Sequence, residues 1–379
     1  MSWPTQFESL PQMSGAELKL EPVAYKKLAG WESDDHTAAY ATFLRSCQRI
    51  AAVTRTRQAK RKPTTARDDA LTAICQLALK QRISGADNAR AFFERHFTPH
   101  RVNGRSRGFL TGYFEPVLRG SRRHSSLFPV PIYAKPHDLL LLAPAEQRGT
   151  RNAELTAMRR TASGTTPYPT REEIDKGALK GKGLELLYLA DPVEAYVMHV
   201  QGSAQIQLDT GERVRLGFAA KNGHPYTSIG KALVRQGEIK VDDMSLESLT
   251  GWLRENPERA QKLMWRNRSY IFFQQLEGKK ADEGPTGAQG VALTAGRSLA
   301  VDPSHHMLGT PIWLTVPKLA AHGPRGFSRL MVAQDVGSAI QGPQRGDIYW
   351  GSGDRAGEVA GLTRHAGSFI VLVPNPPSR

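Results

Sequence analysis

VALTAGRSLAVDPSHHMLGTPIWL (residues 291–314) and MVAQDVGSAIQGPQRGDIYWGSGDRAG (331–357) set the character of the C-terminal part of this 379-residue chain. Around them, from Tyr270 onward, short apolar runs recur: YIFFQ, GVALTAG, TPIWLTV, RLMVAQD, GDIYWG and SFIVLVP. Turn residues separate the runs, and no helix-period segment of useful length intervenes. Runs of this length between turn signals read as strands. Six short strands with non-hairpin spacings predict a small closed barrel, which leaves no sheet edge unpaired.

Acidic residues are few in this part, and three stand at strand ends. They are Asp302 in LAVDPSHHMLGT, Asp335 in RLMVAQDVGSAIQG and Asp347 in RGDIYWGSGD. Asp335 follows a largely apolar strand and precedes Val-Gly, so its carboxylate stands at the rim of an apolar element. Partial loss of hydration there raises a carboxyl pKa and keeps the group protonated near neutrality, as a general acid requires. The same position also suits a turn-forming Asp that bonds its own backbone. GSGDRAG (351–357) lacks the spacing of a dinucleotide loop, and no helix is expected after it. His305 and His306 are adjacent, so in a strand they point to opposite faces and cannot share an ion. No metal site and no cofactor are expected. His199 and His224 read as hydrogen-bonded structural groups. No G-x-S-x-G elbow is present, which argues against a serine nucleophile.

Toward the N-terminus the texture is helical. Residues 34–53 carry Tyr40, Phe43, Leu44, Cys47, Ile50 and Ala51 on one face, with Ser33 or Asp34 as the cap. Further helices are expected over 66–82 and 86–97. Cys47 and Cys75 lie in the apolar stripes, which argues against a cysteine nucleophile and makes buried core thiols their default state. A disulfide is the alternative and needs an oxidising compartment. After Asn103-Gly104 the pattern changes. FLTGYFEPVLRG (109–120) and FPVPIYAKP (128–136) read as strands, and the polar stretch 146–169 as loop. Thr170 to Glu173 forms a capping box. Residues 195–219 alternate around Asp-Thr-Gly (209–211) and predict a hairpin. Helices follow at 225–235, 245–255 and 257–265, the last with Asn256 as cap and Pro257 at its first position.

The chain carries 51 Lys+Arg against 36 Asp+Glu, a net charge of +15, with 40% apolar residues and two cysteines. This length and composition suit a globular chain of two or three domains and exclude a disulfide scaffold or a Cys-based zinc cluster. No run of 18 apolar residues exists, so no membrane span is expected. MSWPTQFESL shows no targeting segment, so the chain is either cytoplasmic or has lost a targeting peptide, and any lipid anchor with it. The dense basic run Arg55, Arg57, Lys60, Arg61 and Lys62 reads as a solvated loop or as contact with an anionic polymer. Aromatic residues do not interleave with it, and no nucleic-acid module is recognisable, so nucleic acid is not an expected partner.

LAGW (28–31), RSCQ (45–48), LTGYFEPV (110–117), VMHVQGSAQI (197–206), NGHPYTSIG (222–230) and NRSYIFF (267–273) occur in this order, followed by the two C-terminal blocks quoted first. Together they resemble the MltA family, the membrane-bound lytic murein transglycosylases A, over nearly the whole chain. The C-terminal block resembles its three-Asp module, with Asp302, Asp335 and Asp347 as the acidic positions. The resemblance implies a mainly β fold with N-terminal helices: a double-psi β-barrel domain assembled from 1–116 and 270–379, a smaller inserted β domain at 117–269, and a groove where the two meet. It implies cleavage of the β-1,4 bond between N-acetylmuramic acid and N-acetylglucosamine in peptidoglycan, leaving 1,6-anhydromuramic acid. Asp335 would be the single catalytic acid and base, Asp347 and Asp302 would support it, and Thr111, Tyr113, Gln201, Ser203 and Tyr226 would line the groove. The implied partners are peptidoglycan glycan strands and other cell-wall enzymes. The implied location is the periplasm, attached to the outer membrane only through a lipid anchor removed from this chain.

One carboxylate suffices for that reaction. Ordinary glycosidases need two, because water or a second carboxylate must attack C1. In the anhydro reaction the sugar's own C6 hydroxyl attacks, so proximity within the substrate replaces the nucleophile. Three other functions remain open on the residues: a non-catalytic peptidoglycan-binding protein of the same fold, a basic nucleic-acid binder, and a two-carboxylate hydrolase.

Overall fold

The computed structural model describes residues 19–59, 66–102, 108–142, 154–277, 283–317, 319 and 326–376. MSWPTQFESL, Asn103-Gly104, residues 146–153 of the polar stretch, and Lys60, Arg61 and Lys62 lie outside the described residues, as does the side chain of Arg57. The chain begins with strand β1 (Leu20–Pro22), helices α1 (His36–Ala59), α2 (Ala66–Lys80) and α3 (Ala86–His96), and strands β2 (Phe97–Val102) and β3 (Gly108–Glu115). The three helices bury Tyr40, Phe43, Phe92 and Phe93 in one core with Trp31, Trp313, Leu330 and Ile370. The cap of α1 is Asp35, whose Oδ1 accepts the Ala38 amide at 3.0 Å. Neither Ser33 nor Asp34 fills that role. Asp34 instead forms a buried bidentate pair with Arg297 at 2.7 and 2.8 Å and accepts the Leu330 amide. Cys47 and Cys75 are joined in a disulfide. This corrects the expectation of free thiols: the apolar stripes of α1 and α2 face each other in the same core, which brings the two sulfurs into bonding contact.

The middle of the chain contains β4 (Val117–Ser121), β5 (Val130–Tyr133), β6 (Leu139–Leu141), β7 (Ala157–Thr161) and β8 (Gly164–Pro167). Next come α4 (Arg171–Glu173), continued by a wider turn over Ile174–Ala178, then β9 (Glu185–Leu189), α5 (Pro192–Gln201), β10 (Ser203–Leu208) and β11 (Arg213–Lys221). Helices α6 (Ile229–Arg235), α7 (Leu246–Glu255) and α8 (Pro257–Trp265) precede β12 (Ile271–Gln275). The capping box at Thr170 and Glu173 forms as expected. Asn256 does not cap α8 with its side chain, although Pro257 holds the first position. The expected hairpin over 195–219 is shorter, because 192–201 is helical. Asp191 caps that helix through the Val193 amide, Pro192 opens it, and Gly202 ends it with φ +81°. The hairpin proper is β10–β11. Strands β7 and β8 occupy part of the stretch expected as loop and pair with β6 in a small sheet. A six-stranded sheet runs β12-β11-β10-β4-β9-β5, and a bridge between Ala134 and Phe273 returns its last strand toward its first.

The C-terminal part provides β13 (Ser298–Val301), β14 (Pro311–Val316), β15 (Phe327–Asp335), β16 (Arg345–Ser352), α9 (Asp354–Leu362) and β17 (Arg364–Pro374). Their sheet runs β1-β2-β17-β14-β15-β13-β16-β3, and β17 also pairs with β3. Six strands, β3, β17, β14, β15, β13 and β16, therefore form a closed ring. Leu110, Leu299, Ile312, Met331, Ala333, Ile348 and Phe369 share its core. The ring is not built from the six runs as expected. YIFFQ is β12 and pairs with β11, GVALTAG forms only a bridge from Ala292 to Thr286, and Ser298–Val301 and Gly108–Glu115 take the two vacant places. Helix α9 also follows GSGD where none was expected. Its inward side is Ala356, Gly357 and Ala360, too small to give an apolar period, and a Cβ on Gly357 would lie 2.9 Å from Phe114. The chain is mainly β with helices. It divides into a unit of residues 1–113, 282–351 and 363–379 and a unit of 114–281 with 352–362.

Candidate active site

Asp335 ends β15, and a register shift decides where it faces. Leu299 pairs with Ala333, but the next residue, Ala300, pairs with Asp335, which leaves Gln334 as the extra residue of a bulge. Strict alternation would put Asp335 on the face of Met331 and Ala333, inside the ring core. The bulge gives it the face of Ala300 instead. On the other side of β13, Ala300 pairs with Asp347 of β16. A methyl group thus separates two carboxylates whose strands lie about 10 Å apart, two sheet spacings. Gln334 turns into the fold, where it donates to the Thr42 carbonyl and Ser46 Oγ and accepts from Ser298 Oγ. This network anchors β15 to α1 directly behind Asp335.

Three donors hold the Asp335 carboxylate. The Ala288 and Val336 amides donate to Oδ1 at 2.8 and 2.9 Å, and the Tyr113 hydroxyl donates to Oδ2 at 2.8 Å. The Ala288 amide reaches it because the Gln289 amide bonds the Gln334 carbonyl. The two segments approach so closely at Gly287 that a Cβ there would lie 2.6 Å from the Gln334 carbonyl oxygen. Asp335 is half-buried. Loss of hydration raises its pKa, and the three hydrogen bonds only partly oppose that rise. Burial and the neighbouring carboxylates hold the Tyr113 phenol well above its ordinary pKa, so it remains a donor. Asp347 accepts from Thr111 Oγ1 at 2.6 Å. Burial pushes its pKa up to about 6, against the Thr111 hydrogen bond and the Arg345 charge. Arg345 Nη2 donates to Thr111 at 2.8 Å.

Asp302 plays a different part. Its Oδ1 accepts the Ser304 amide and hydroxyl, and its Oδ2 accepts the Gly342 amide at 2.6 Å. Burial alone would raise its pKa, but those donors outweigh it and the pKa is lowered. It clamps two loops as a stable anion. Thr111, Tyr113, Asp335 and Asp347 are therefore brought together, with Asp302 held in loop contacts of its own. Gln201, Ser203 and Tyr226 belong to the second unit. There Gln201 Oε1 accepts the Phe114 amide at 3.0 Å, Ser203 is buried at the start of β10, and Tyr226 is half-buried. Sequence reasoning missed Arg345 and the Ala288 amide. The former stands two residues before Asp347, which is a readable signal. A backbone amide brought in by a distant loop leaves none.

His306 is buried and its Nε2 pairs with the Pro343 carbonyl at 2.7 Å, while His224 Nε2 pairs with the Tyr168 carbonyl at 2.7 Å. Among the described residues no group of three His, Cys, Asp or Glu side chains could hold a metal ion, and no helix is long and apolar enough to cross a membrane.

Residues 109–274 match the MltA specific insert domain, and residues 297–373 match the 3D domain. The membrane-bound lytic murein transglycosylase A of Vibrio cholerae is 33% identical over 277 residues, 71% of this chain and 67% of that protein. The chain spans about two thirds of the length of the curated relatives it matches. The crystal structure of a membrane-bound lytic murein transglycosylase from Agrobacterium tumefaciens superposes with a TM-score of 0.84 at 32% identity, covering 94% of this chain and 97% of that one. The Escherichia coli MltA structure with bound chitohexaose gives a TM-score of 0.65 at 26% identity, covering 97% of this chain and 94% of that one. On these matches, over both the middle and the C-terminal parts, the chain belongs to the MltA family, the membrane-bound lytic murein transglycosylases A.

Proposed function

We propose that this chain cleaves the β-1,4 bond between N-acetylmuramic acid and N-acetylglucosamine in peptidoglycan, with Asp335 acting first as acid and then as base. The observation that carries this reading is the hydrogen bonding of Asp335. Two amides occupy both lone pairs of Oδ1, and Tyr113 occupies one of Oδ2. The remaining lone pair of Oδ2 is the position left for a transferable proton. In the first step that proton passes to the glycosidic oxygen as the C1–O bond breaks. In the second, the carboxylate takes the proton of the C6 hydroxyl as its oxygen bonds to C1, closing the 1,6-anhydro ring and restoring the acid. Asp347, with Thr111 and Arg345 around it, supplies a second anionic neighbour as charge develops on the sugar. Asp302 supports the site by fixing loops. Thr111, Tyr113, Gln201, Ser203 and Tyr226 are the proposed groove residues.

In this reading the ring is a double-psi β-barrel, with 1–116 and 270–379 as the barrel domain and 117–269 as the insert. The disulfide suits an oxidising compartment, which supports a periplasmic location with attachment to the outer membrane through a lipid anchor. The excess of positive charge suits a polymer whose peptides bear carboxylates. Mass spectrometry of the products from murein sacculi tests the reaction. The expected muropeptides are lighter by one water than hydrolysis products. Hydrolysis products would indicate a two-carboxylate hydrolase, and binding without any release would indicate a non-catalytic binder.

A further inference from the structure

The second unit contains a cavity of about 680 Å³, within the size range of small-molecule sites. Every residue lining it belongs to that unit, and none belongs to the Asp335 cluster. Its floor is Arg171, buried to 4% exposure, with its guanidinium 4.8 Å from the Tyr196 ring and 5.1 Å from the Tyr270 ring. Arg171 Nε and Nη2 donate to the carbonyls of Asn267 and Ser269, so two of its five N–H groups are bonded within the fold.

We propose that this cavity is a second saccharide site that holds a neutral sugar ring of the glycan polymer. The identity of the polymer rests on the peptidoglycan reading above; the class of ligand rests on the lining. The cavity wall carries as many anions as cations, Asp175 and Glu185 against Arg171 and Lys180, which does not favour a charged ligand. Tyr188 and Trp265 are half-buried rings, suited to stack on the C–H face of a pyranose. Polar groups of both kinds are fixed beside them. Asp175 is held as an acceptor by the Trp265 indole N–H at 3.0 Å and by Gln261 at 3.4 Å. His199 is 6% exposed and accepts the Ile271 amide on Nδ1 at 3.2 Å, which places its ring proton on Nε2. That Nε2–H has no partner among the described residues, and burial keeps the imidazole neutral. An uncharged donor and a fixed acceptor beside aromatic rings match hydroxyl and acetamido groups.

The test is hydroxyl-radical footprinting of the full chain carrying Asp335→Asn, with N,N′,N″-triacetylchitotriose as the probe. Oxidation of Trp265 and Tyr188 should slow roughly threefold at two-thirds occupancy, and Tyr188→Ala should abolish the protection of Trp265. Unchanged oxidation of both rings overturns the proposal. So does protection by D-alanyl-D-alanine without protection by the trisaccharide, which would assign the cavity to a peptide. Turnover of sacculi by the unsubstituted chain, measured in parallel, separates the two readings. Footprint without turnover supports the sugar site and removes the peptidoglycan reading; turnover without footprint removes this site alone.

Discussion

Glu115 and Asp335 are carboxylates withdrawn from water, one in each unit, and their surroundings are opposite in kind. Glu115 has no exposed side-chain surface; Arg215 Nε stands 2.9 Å from its Oε1, and Gln205 and Ser352 donate to its Oε2 at 2.9 and 2.7 Å. Asp335 has no cation partner among the described residues and is held by two amides and a phenol. A buried counter-charge at this distance makes a carboxylate part of the architecture, because removing either partner leaves the other uncompensated. Neutral donors in a partly dry site only partly offset the loss of hydration, so the carboxyl pKa is raised, the direction a general acid needs. The residue type is similar in both places. Its partner decides the role.

The largest effect expected from this contrast is on turnover. Asp335→Asn keeps the amide contacts and loses the proton, so release of muropeptides should fall by about 10²–10⁴-fold, with a melting temperature near that of the unsubstituted chain. Wild-type release by the purified variant would end the assignment. Asp347→Asn should lose less. An equal or greater loss would move the acid to Asp347, whose pKa of about 6 also suits that role. Glu115→Gln should do the reverse of Asp335→Asn. It leaves the Arg215 side chain, 8% exposed, without its counter-charge, and should lower stability by about 3–5 kcal/mol in denaturant titration. If the Asn variant at 335 were destabilised as much as the Gln variant at 115, the distinction between the two carboxylates would fail.

The disulfide probes the first unit by another route. Replacing both Cys47 and Cys75 by Ala should cost about 2–4 kcal/mol, because the bond closes a loop with a sequence separation of 28. Reductant should reproduce the loss in the unsubstituted chain and do nothing further to the double variant. Asp335 should stay functional in whatever fraction remains folded, since its contacts come from Tyr113, Ala288 and Val336.

Much of this architecture was legible in the residues, and the failures have physical causes. The N-terminal helices follow from Tyr40, Phe43, Phe92 and Phe93 at helical spacing, and the start and stop signals of α5 were also present in Asp191, Pro192 and Gly202. The alternation of AYVMHVQ masked them, because a helix buried on several sides shows little period. Helix α9 was hidden by the small size of Ala356, Gly357 and Ala360. The pairing of Cys47 with Cys75 depended on how two stripes meet, which neither stripe specifies alone. At the site, the motif pointed to Asp335, but its orientation came from the bulge at Gln334 and its strongest contacts from backbone amides. A register shift is a property of two strands together, and an amide has no letter in the sequence.

The smallest effect is a slope, and it separates Asp347 from Asp302. Both carboxyls have an ordinary value of 3.8. Asp347 binds its proton more tightly in the folded chain than in the unfolded one. Its contribution to stability is therefore full below about pH 4 and is lost as pH rises toward its folded value of about 6. Asp302 has the opposite sign. Its lowered pKa contributes stability above about pH 4, and that contribution is lost as pH falls through its folded value. Melting temperatures taken from pH 3 to pH 7 should therefore respond differently to the two Asn variants. Asp347→Asn should flatten the decline between about pH 4 and pH 6. Asp302→Asn should leave that interval unchanged and remove part of the loss at lower pH. If both variants altered the same interval, the two acids would share one environment, and the division between a loop clamp and a titrating neighbour of Asp335 would have no basis.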